Sequence, residues 1–292
     1  MDIKPTLVKE LRERTGAGMM DCKRALQDAG GDLDAAAELL RKAGQAKADK
    51  KASRVAAEGR IVIGADAATG CYAIVEINSE TDFVAKDESF ERFAQLVGDT
   101  VLAREPADLA ALMAAEIDGE RLEARRTALV AKVGENIAVR RFELLRSAGV
   151  VGVYIHMGRI GVLVELDGGD EALAKDLAMQ VAARAPRFVS PDDVPAAERE
   201  KEREIFAAQA AGQGKPEEIV KRIVEGQLRK HLDQVTLLGQ EFVKDPDKRV
   251  RDLLKAAGAS ARRFVRFEVG EGIEKKSEDF AAEVMAQASR RS

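Results

Sequence analysis

Tryptophan is absent from this 292-residue chain, tyrosine and histidine occur twice each, and the only cysteines are Cys22 and Cys71. Two cysteines in segments of different character cannot make a disulfide framework or a zinc site, so both are expected as free thiols. No apolar run approaches the roughly 18 residues that a membrane-spanning helix needs. The N-terminus, MDIKPTLVKELRERTG, also lacks the apolar core of a secretory signal. A cytoplasmic protein with no membrane partner is expected. An excess of positive charge is missing too: 47 Lys and Arg face 51 Asp and Glu, for a net charge of -4. That balance argues against a broad electrostatic footprint for nucleic acid.

The motifs of common catalytic sites are missing as well. No GxxxxGK[ST], GxGxxG after a strand, HExxH or GxSxG occurs, and His156 and His231 are the only histidines. GQGKP at 212–216 reads better as a glycine turn between charged helices than as a phosphate cradle. The chain is therefore expected to hold no metal and no cofactor and to have no catalytic centre. An enzyme built on Cys71 or His156 would lack a partner acid or base.

What is present is a chain 46% apolar and 34% charged, long enough for two or three compact units. From Pro5 to Gly44 three short helices are predicted. Leu7, Val8 and Leu11 form one stripe, Met19, Cys22 and Leu26 another, and a third helix runs from an Asp32 cap to a Gly44 stop. QAKADKKASRVAAEG then reads either as a linker or as an extended helix. From Gly59 the period changes to two: GRIVIGADAATGCYAIVEIN predicts a β-hairpin, and SFERFAQLVGDTVLA the helix after it.

The same order returns later, with GVVGVYIHMGRIGVLVELD as a second hairpin followed by another helix. Glu76 and Glu165 lie 89 residues apart in matching strands, whereas Pro106 and Pro186, after matching helices, lie 80 apart. The first copy is thus nine residues longer between strand and helix, and the surplus falls within TDFVAKDES. A connection that its duplicate manages without is a candidate for binding, since surface insertions cost little stability.

Between the copies, AALMAAEIDGERLEARRTALVAKVGENIAVRRFELL predicts a helix, a GEN turn and a strand. After the second copy, two charge-dense helices with a thin apolar stripe of Ile205, Ala208, Ile219, Ile223 and Leu228 predict an antiparallel helical hairpin, with Pro195 and Pro216 at first helical positions. A helix DPDKRVRDLLKAAG, a strand RRFVRFEVGEG mirroring NIAVRRFELL, and a last helix SEDFAAEVMAQAS complete the reading.

Three side-chain groups stand out, each with two readings. Phe83 is either tucked onto the protein's own sheet or exposed for a partner, where its burial would contribute about 1.5 to 3 kcal/mol. Met19 and Met20 are either core or an adaptable contact surface. His156 is either a half-exposed turn residue or a contact.

The stretches LVKELRERTGAGMMDCKRAL, TDFVAKDESF, RIGVLVEL and RFEVGEGIEK together resemble the bacterial translation elongation factor Ts family over essentially the whole chain. That resemblance implies an α+β fold: an N-terminal three-helix, ubiquitin-associated-like module, a core of two similar α+β subdomains with antiparallel sheets, an inserted helical coiled-coil hairpin, and a C-terminal helix. On this sequence the parts are expected at 1–55 (module and linker), 56–145, 146–276 with the hairpin at about 192–232, and 277–292. It implies a guanine-nucleotide exchange factor for elongation factor Tu, bound in its GDP and nucleotide-free states. Thr81, Asp82, Phe83 and Val84 match the loop that displaces magnesium in the partner GTPase. Arg12, Met19 and Met20 match contacts to a helix of the same domain, and His156 matches the hairpin histidine, here in the turn HMGRIG. Free sheet edges leave the factor either monomeric or homodimeric. An adaptor that binds through the three-helix module without affecting nucleotide release is the alternative from another functional class.

Overall fold

The computed structural model of the chain describes residues 3–211 and 216–274. The final helix expected at 277–289, and with it the C-terminal module, lies outside the described residues, as does most of GQGKP. The chain divides into two compact units, Met1–Val62, Val75–Phe142 and Glu268–Ser292 in the first and Ile63–Ile74 with Glu143–Phe267 in the second.

The first unit opens with α1 (Pro5–Thr15), α2 (Met19–Asp28) and α3 (Leu33–Lys51). Pro5 has a φ already suited to a first helical turn, and Gly16, at φ 68°, ends α1 by returning its N–H to the Arg12 carbonyl. Asp32 starts α3 by accepting the Asp34 and Ala35 N–H groups at 2.8 and 3.0 Å. Val8, Leu11, Cys22, Leu26 and Ala36 close over one small core.

β1 (Glu58–Asp66) and β2 (Cys71–Ser79) follow, then α4 (Asp82–Ala85), α5 (Glu88–Arg104), α6 (Leu109–Ala114), β3 (Glu116–Ile117), β4 (Glu120–Arg121), α7 (Leu122–Val133) and β5 (Ile137–Arg146). The order across the sheet is β1-β2-β5. The single helix expected over 110–133 is split. Asp118 and Gly119, both at positive φ, turn a two-residue ladder pairing Glu116 with Arg121 and Ile117 with Glu120. Asp-Gly is a strong hairpin signal that the helical period had masked. The stop expected at Gly44 is also overridden. α3 runs on to Lys51 because its second half packs on α7, with Gly44 facing Ala131 and the Thr127 hydroxyl donating to Gln45 at 3.5 Å. Tertiary burial outweighs the roughly 1 kcal/mol helix cost of a glycine.

The second unit takes in the tip of the β1–β2 hairpin and the end of β5, and is otherwise built from β6 (Val150–His156), β7 (Ile160–Asp167), α8 (Glu171–Arg184), α9 (Ala196–Ala211), α10 (Glu217–Val235), β8 (Glu241–Phe242), β9 (Asp245–Arg249), α11 (Val250–Ala256) and β10 (Ser260–Glu268). β6 and β7 pair antiparallel from Val150↔Leu166 to His156↔Ile160, and the sheet order is β6-β7-β10. α8 lies against β6 and β7 over a core of Val162, Val164, Leu166, Leu177 and Val181. Gly152 permits that approach, since a Cβ there would collide with the Ala174 carbonyl. α9 and α10 pack on each other, joined by an Arg203–Glu225 ion pair at 3.4 Å and an edge-on contact of Phe206 with His231. Pro195 and Pro216 stand one residue ahead of these helices rather than inside them. Asp245–Arg249, expected to open a helix, is instead drawn into a ladder with β8. The described residues thus form an α+β fold of helices and antiparallel strands.

The duplication is visible in the connectivity: each sheet is a hairpin whose second strand is flanked by a third strand arriving later. Glu105 and Ala185, 80 residues apart, both end their helices in the left-handed region, at φ 45° and 43°. The nine-residue surplus is spent on one more strand residue, on the turn carrying α4, and on an earlier start for α5.

Each central strand also carries one buried carboxylate. Glu76 on β2 accepts Arg140 Nη1 at 3.0 Å, Arg141 Nε at 2.6 Å, Asn78 Nδ2 at 3.0 Å and the Gly270 N–H at 2.8 Å. Glu165 on β7 accepts Arg263 Nε and the Ser147 hydroxyl, each at 2.7 Å, with Arg262 at 3.6 Å. Burial pushes both carboxyls up, but the hydrogen bonds outweigh it and both titrate below the ordinary 4.5. A depressed folded-state pKa stabilises the fold fully above 4.5, and that stability is lost as pH falls through the folded value. Glu76→Gln should cost about 2 to 3 kcal/mol at neutral pH. It should also flatten the acid limb of stability against pH, as measured by denaturant unfolding from pH 7 down to 3.

Candidate functional site

β2 ends at Ser79, buried, whose hydroxyl donates to the Thr81 carbonyl at 2.8 Å and starts a sharp change of direction. Thr81 caps α4: its Oγ1 accepts the Val84 N–H at 3.3 Å. The turn closes through Lys86 N–H to the Phe83 carbonyl and Asp87 N–H to the Val84 carbonyl, at 3.2 and 2.9 Å. Asp87 then caps α5 by accepting the Ser89 N–H at 2.8 Å. Two caps in seven residues leave the segment little freedom.

A second set of bonds fastens the turn from outside. Glu135 accepts the Thr81 N–H at 3.0 Å and the Thr81 hydroxyl at 2.7 Å. Glu80 accepts the Asn136 N–H at 2.6 Å and pairs with Arg54 at 3.3 Å. Lys51 reaches the Gly134 carbonyl. The GEN turn after α7 is thereby tied to the strand end that precedes α4.

On this braced turn Ala85 faces inward, Val84 is half-buried, and Phe83 is 81% exposed. The ring is not tucked onto the protein's own sheet. Asp82 beside it pairs with Lys86 at 2.7 Å, across one helical turn. The ring therefore adds little to the fold's own burial.

The other candidates stand elsewhere. Arg12 lies exposed in the last turn of α1, and Met19 and Met20, 60% and 66% exposed, start α2. Neither methionine belongs to the core formed by Leu11, Cys22 and Leu26. His156, in the second unit, is exposed at the end of β6, with its Nδ1 3.2 Å from the Tyr154 hydroxyl and the two rings stacked. Its turn closes by Arg159 N–H to the His156 carbonyl at 2.9 Å, with Met157 and Gly158 at φ 50° and 69°. Met157, 85% exposed and in a backbone region a methionine disfavours, is a surface feature that sequence reading passed over.

Sequence reading also missed Glu80, Glu135, Asn136 and Arg54 as the brace. Nothing local marks Glu135 for Thr81, which lies 54 residues away. Among the described residues no group of three or more His, Cys, Asp or Glu could hold a metal ion, and no helix is long and apolar enough to cross a membrane. A cavity of about 450 Å³ in the second unit is lined by Leu228, Arg249 and Arg251, among others, and both arginines are engaged with Asp233 at 2.5 and 2.6 Å.

An exposed phenyl ring beside a half-buried carboxylate, on a turn bonded from both sides, is the geometry of a contact surface rather than of a reaction centre. The family model described as elongation factor TS matches residues 80–271. The chain is 60% identical to elongation factor Ts of Thioalkalivibrio sulfidiphilus over 290 residues, covering 99% of both chains. It is 57% identical to elongation factor Ts of Halorhodospira halophila, covering 98% of this chain and 99% of that one. Against elongation factor Ts of Legionella pneumophila it is 54% identical, covering 98% of each. The chain belongs to the elongation factor Ts family, whose role is in translation elongation.

Two stability measurements test this geometry. Phe83→Ala should shift the unfolding free energy by no more than about 0.5 kcal/mol, because the ring buries almost nothing. Met157→Gly should raise it by roughly 0.5 kcal/mol, relief of the left-handed residue exceeding the entropy that glycine adds to the unfolded chain.

Proposed function

We propose that the chain is a guanine-nucleotide exchange factor for elongation factor Tu, working without a catalytic centre of its own. The observation that carries this reading is Phe83, exposed beside Asp82 on a turn braced by Glu135 and Glu80. Membership of the elongation factor Ts family supports the identity of the partner. Thr81, Asp82, Phe83 and Val84 form the loop that enters the GTPase, and Arg12, Met19, Met20 and His156 are further contacts.

A GDP-bound GTPase holds its ligand partly through an octahedral magnesium and partly through backbone donors around the phosphates. Insertion of a phenylalanine beside that site, with a carboxylate next to it, displaces magnesium ligands and leaves phosphate charge poorly neutralised. Each tenfold rise in release takes about 1.4 kcal/mol off the barrier, so a ten-thousand-fold effect needs about 5.5 kcal/mol. One buried phenylalanine contributes about 1.5 to 3 kcal/mol. The remainder comes from the wider interface holding the partner in its distorted state. Linkage makes the effect mutual: the factor and the nucleotide weaken each other's binding by the same factor, so GDP or GTP can displace it.

The same reading divides the chain into an N-terminal ubiquitin-associated-like module with its linker at 1–55, core subdomains at 56–145 and 146–276, a coiled-coil hairpin at about 192–232, and a C-terminal module at 277–292. It places the protein in the cytoplasm, binding GDP-bound and nucleotide-free elongation factor Tu, as a monomer or a homodimer.

The test is the release rate of a fluorescent GDP from elongation factor Tu. The chain should accelerate release strongly, and Phe83→Ala should remove most of the acceleration while the variant stays folded. Binding without acceleration would establish an adaptor instead. Acceleration that survives the substitution would transfer the mechanism to other contacts.

A further inference from the structure

We propose that Glu135 is a positioning residue for exchange: its carboxylate holds Thr81 so that α4 presents Phe83 in one orientation, and this pre-organisation sets the exchange rate. The inference rests on the exchange reading and adds to it a residue outside the exposed loop.

Glu135 binds Thr81 twice. Its Oε2 accepts the Thr81 N–H at 3.0 Å and its Oε1 the Thr81 hydroxyl at 2.7 Å, so one carboxylate fixes both the backbone and the χ1 of a single residue. That hydroxyl oxygen is also the acceptor for the Val84 N–H at 3.3 Å. Rotating Thr81 away from Glu135 therefore uncaps α4, and the residues between cap and capped amide are Asp82 and Phe83. The chain of dependence runs from Glu135 to Thr81 to the first turn of α4 to the ring.

The brace is also reciprocal. Glu80 accepts the Asn136 N–H at 2.6 Å while its neighbour Thr81 donates to Glu135. Two adjacent residues on one segment and two on the other exchange carboxylate-to-amide bonds, which fixes spacing as well as angle. Asn136 is itself held by its Nδ2 to the Arg54 carbonyl at 2.9 Å. The platform beneath the turn is thus bonded on a second side and does not depend on α4 for its shape.

Such an arrangement has a functional cost if it is lost and little structural cost. A four-residue helix buries only Ala85 and contributes little core, so loosening it leaves the body intact. An exposed ring that must enter a partner loses rotational and loop freedom on binding, and pre-ordering removes that loss in advance. Misplacement of a reacting group by about 1 Å can cost on the order of a hundredfold in rate.

The experiment uses the full chain and elongation factor Tu, with Glu135→Ala, Glu135→Gln, Thr81→Val, Phe83→Ala and the double variant Glu135→Ala with Phe83→Ala. Amide hydrogen exchange of Thr81 and Val84 is measured in the free factor, and fluorescent-GDP release is measured against factor concentration. Glu135→Ala should unprotect both amides, leave thermal unfolding nearly unchanged and lower the maximal release rate roughly ten- to hundredfold. Glu135→Gln, which keeps one acceptor, should restore most of that rate, and Thr81→Val should reproduce the loss.

The double variant decides the pathway. If Glu135 acts through the ring, it is no slower than Phe83→Ala alone. Losses that add in full, or amides that stay protected in Glu135→Ala, would overturn the proposal. Should Glu135→Ala fail to fold, the same decision is read from Thr81→Val and its double variant with Phe83→Ala. If the unmodified factor leaves GDP release unchanged, the exchange reading fails, and amide protection still reports whether Glu135 orders the turn.

Discussion

A carboxylate with no exposed surface must be satisfied completely, and Glu76 is the point from which the first sheet is organised. Its four donors come from three stretches of chain: Asn78 on its own strand, Arg140 and Arg141 on β5, and the Gly270 amide. β5 is the neighbour that brings two guanidinium groups to that place. Removing one partner would leave buried charge uncompensated, a penalty several times the net value of an ordinary hydrogen bond. Glu165 repeats the arrangement with Arg262 and Arg263 from β10. The duplication has kept the electrostatic joint between central and third strands as well as the hairpin itself.

The exposed turn follows directly on the strand that carries Glu76. Three residues beyond Glu76 the strand ends, and the chain must leave the sheet where Ser79 is buried and α5 is about to begin. In the second copy three residues span the gap between β7 and α8. In the first, the same exit is stretched into α4, and the stretch is stiffened rather than left loose. A ring fixed apart from its neighbours cannot collapse onto the protein's own surface, so its apolar area stays exposed.

Much of this could be read in the chain beforehand, for identifiable reasons. Helices α1 to α3, the two hairpins and the helices after them follow from period, caps and turn residues, all local properties. The repeat was legible because Val75 and Glu76 recur as Val164 and Glu165, with Ile77 answered by the similar Leu166. The surplus nine residues pointed to the turn that carries Phe83. Where reading failed, a distant neighbour had decided the outcome. α3 passes Gly44 because α7 covers it, and Asp245–Arg249 leaves its helical period because β8 offers a ladder. The Asp118-Gly119 turn is the exception, a local signal overlooked inside a run of good helix formers.

Sequence by itself determined the α+β content, through period, caps and turn residues within single segments, and the duplication, through two segments that match. The family followed from the likeness of whole stretches such as TDFVAKDESF, and Phe83, Met19, Met20 and His156 stood only as candidates for contact. Tertiary structure decided that Phe83 is exposed and that Glu135, 54 residues from Thr81, holds the turn beneath it. Exposure is a statement about what fails to cover a residue, and a hydrogen bond between distant segments exists only after folding has closed the loop between them. Neither is a property of any window of the chain, so both had to be seen in the folded molecule.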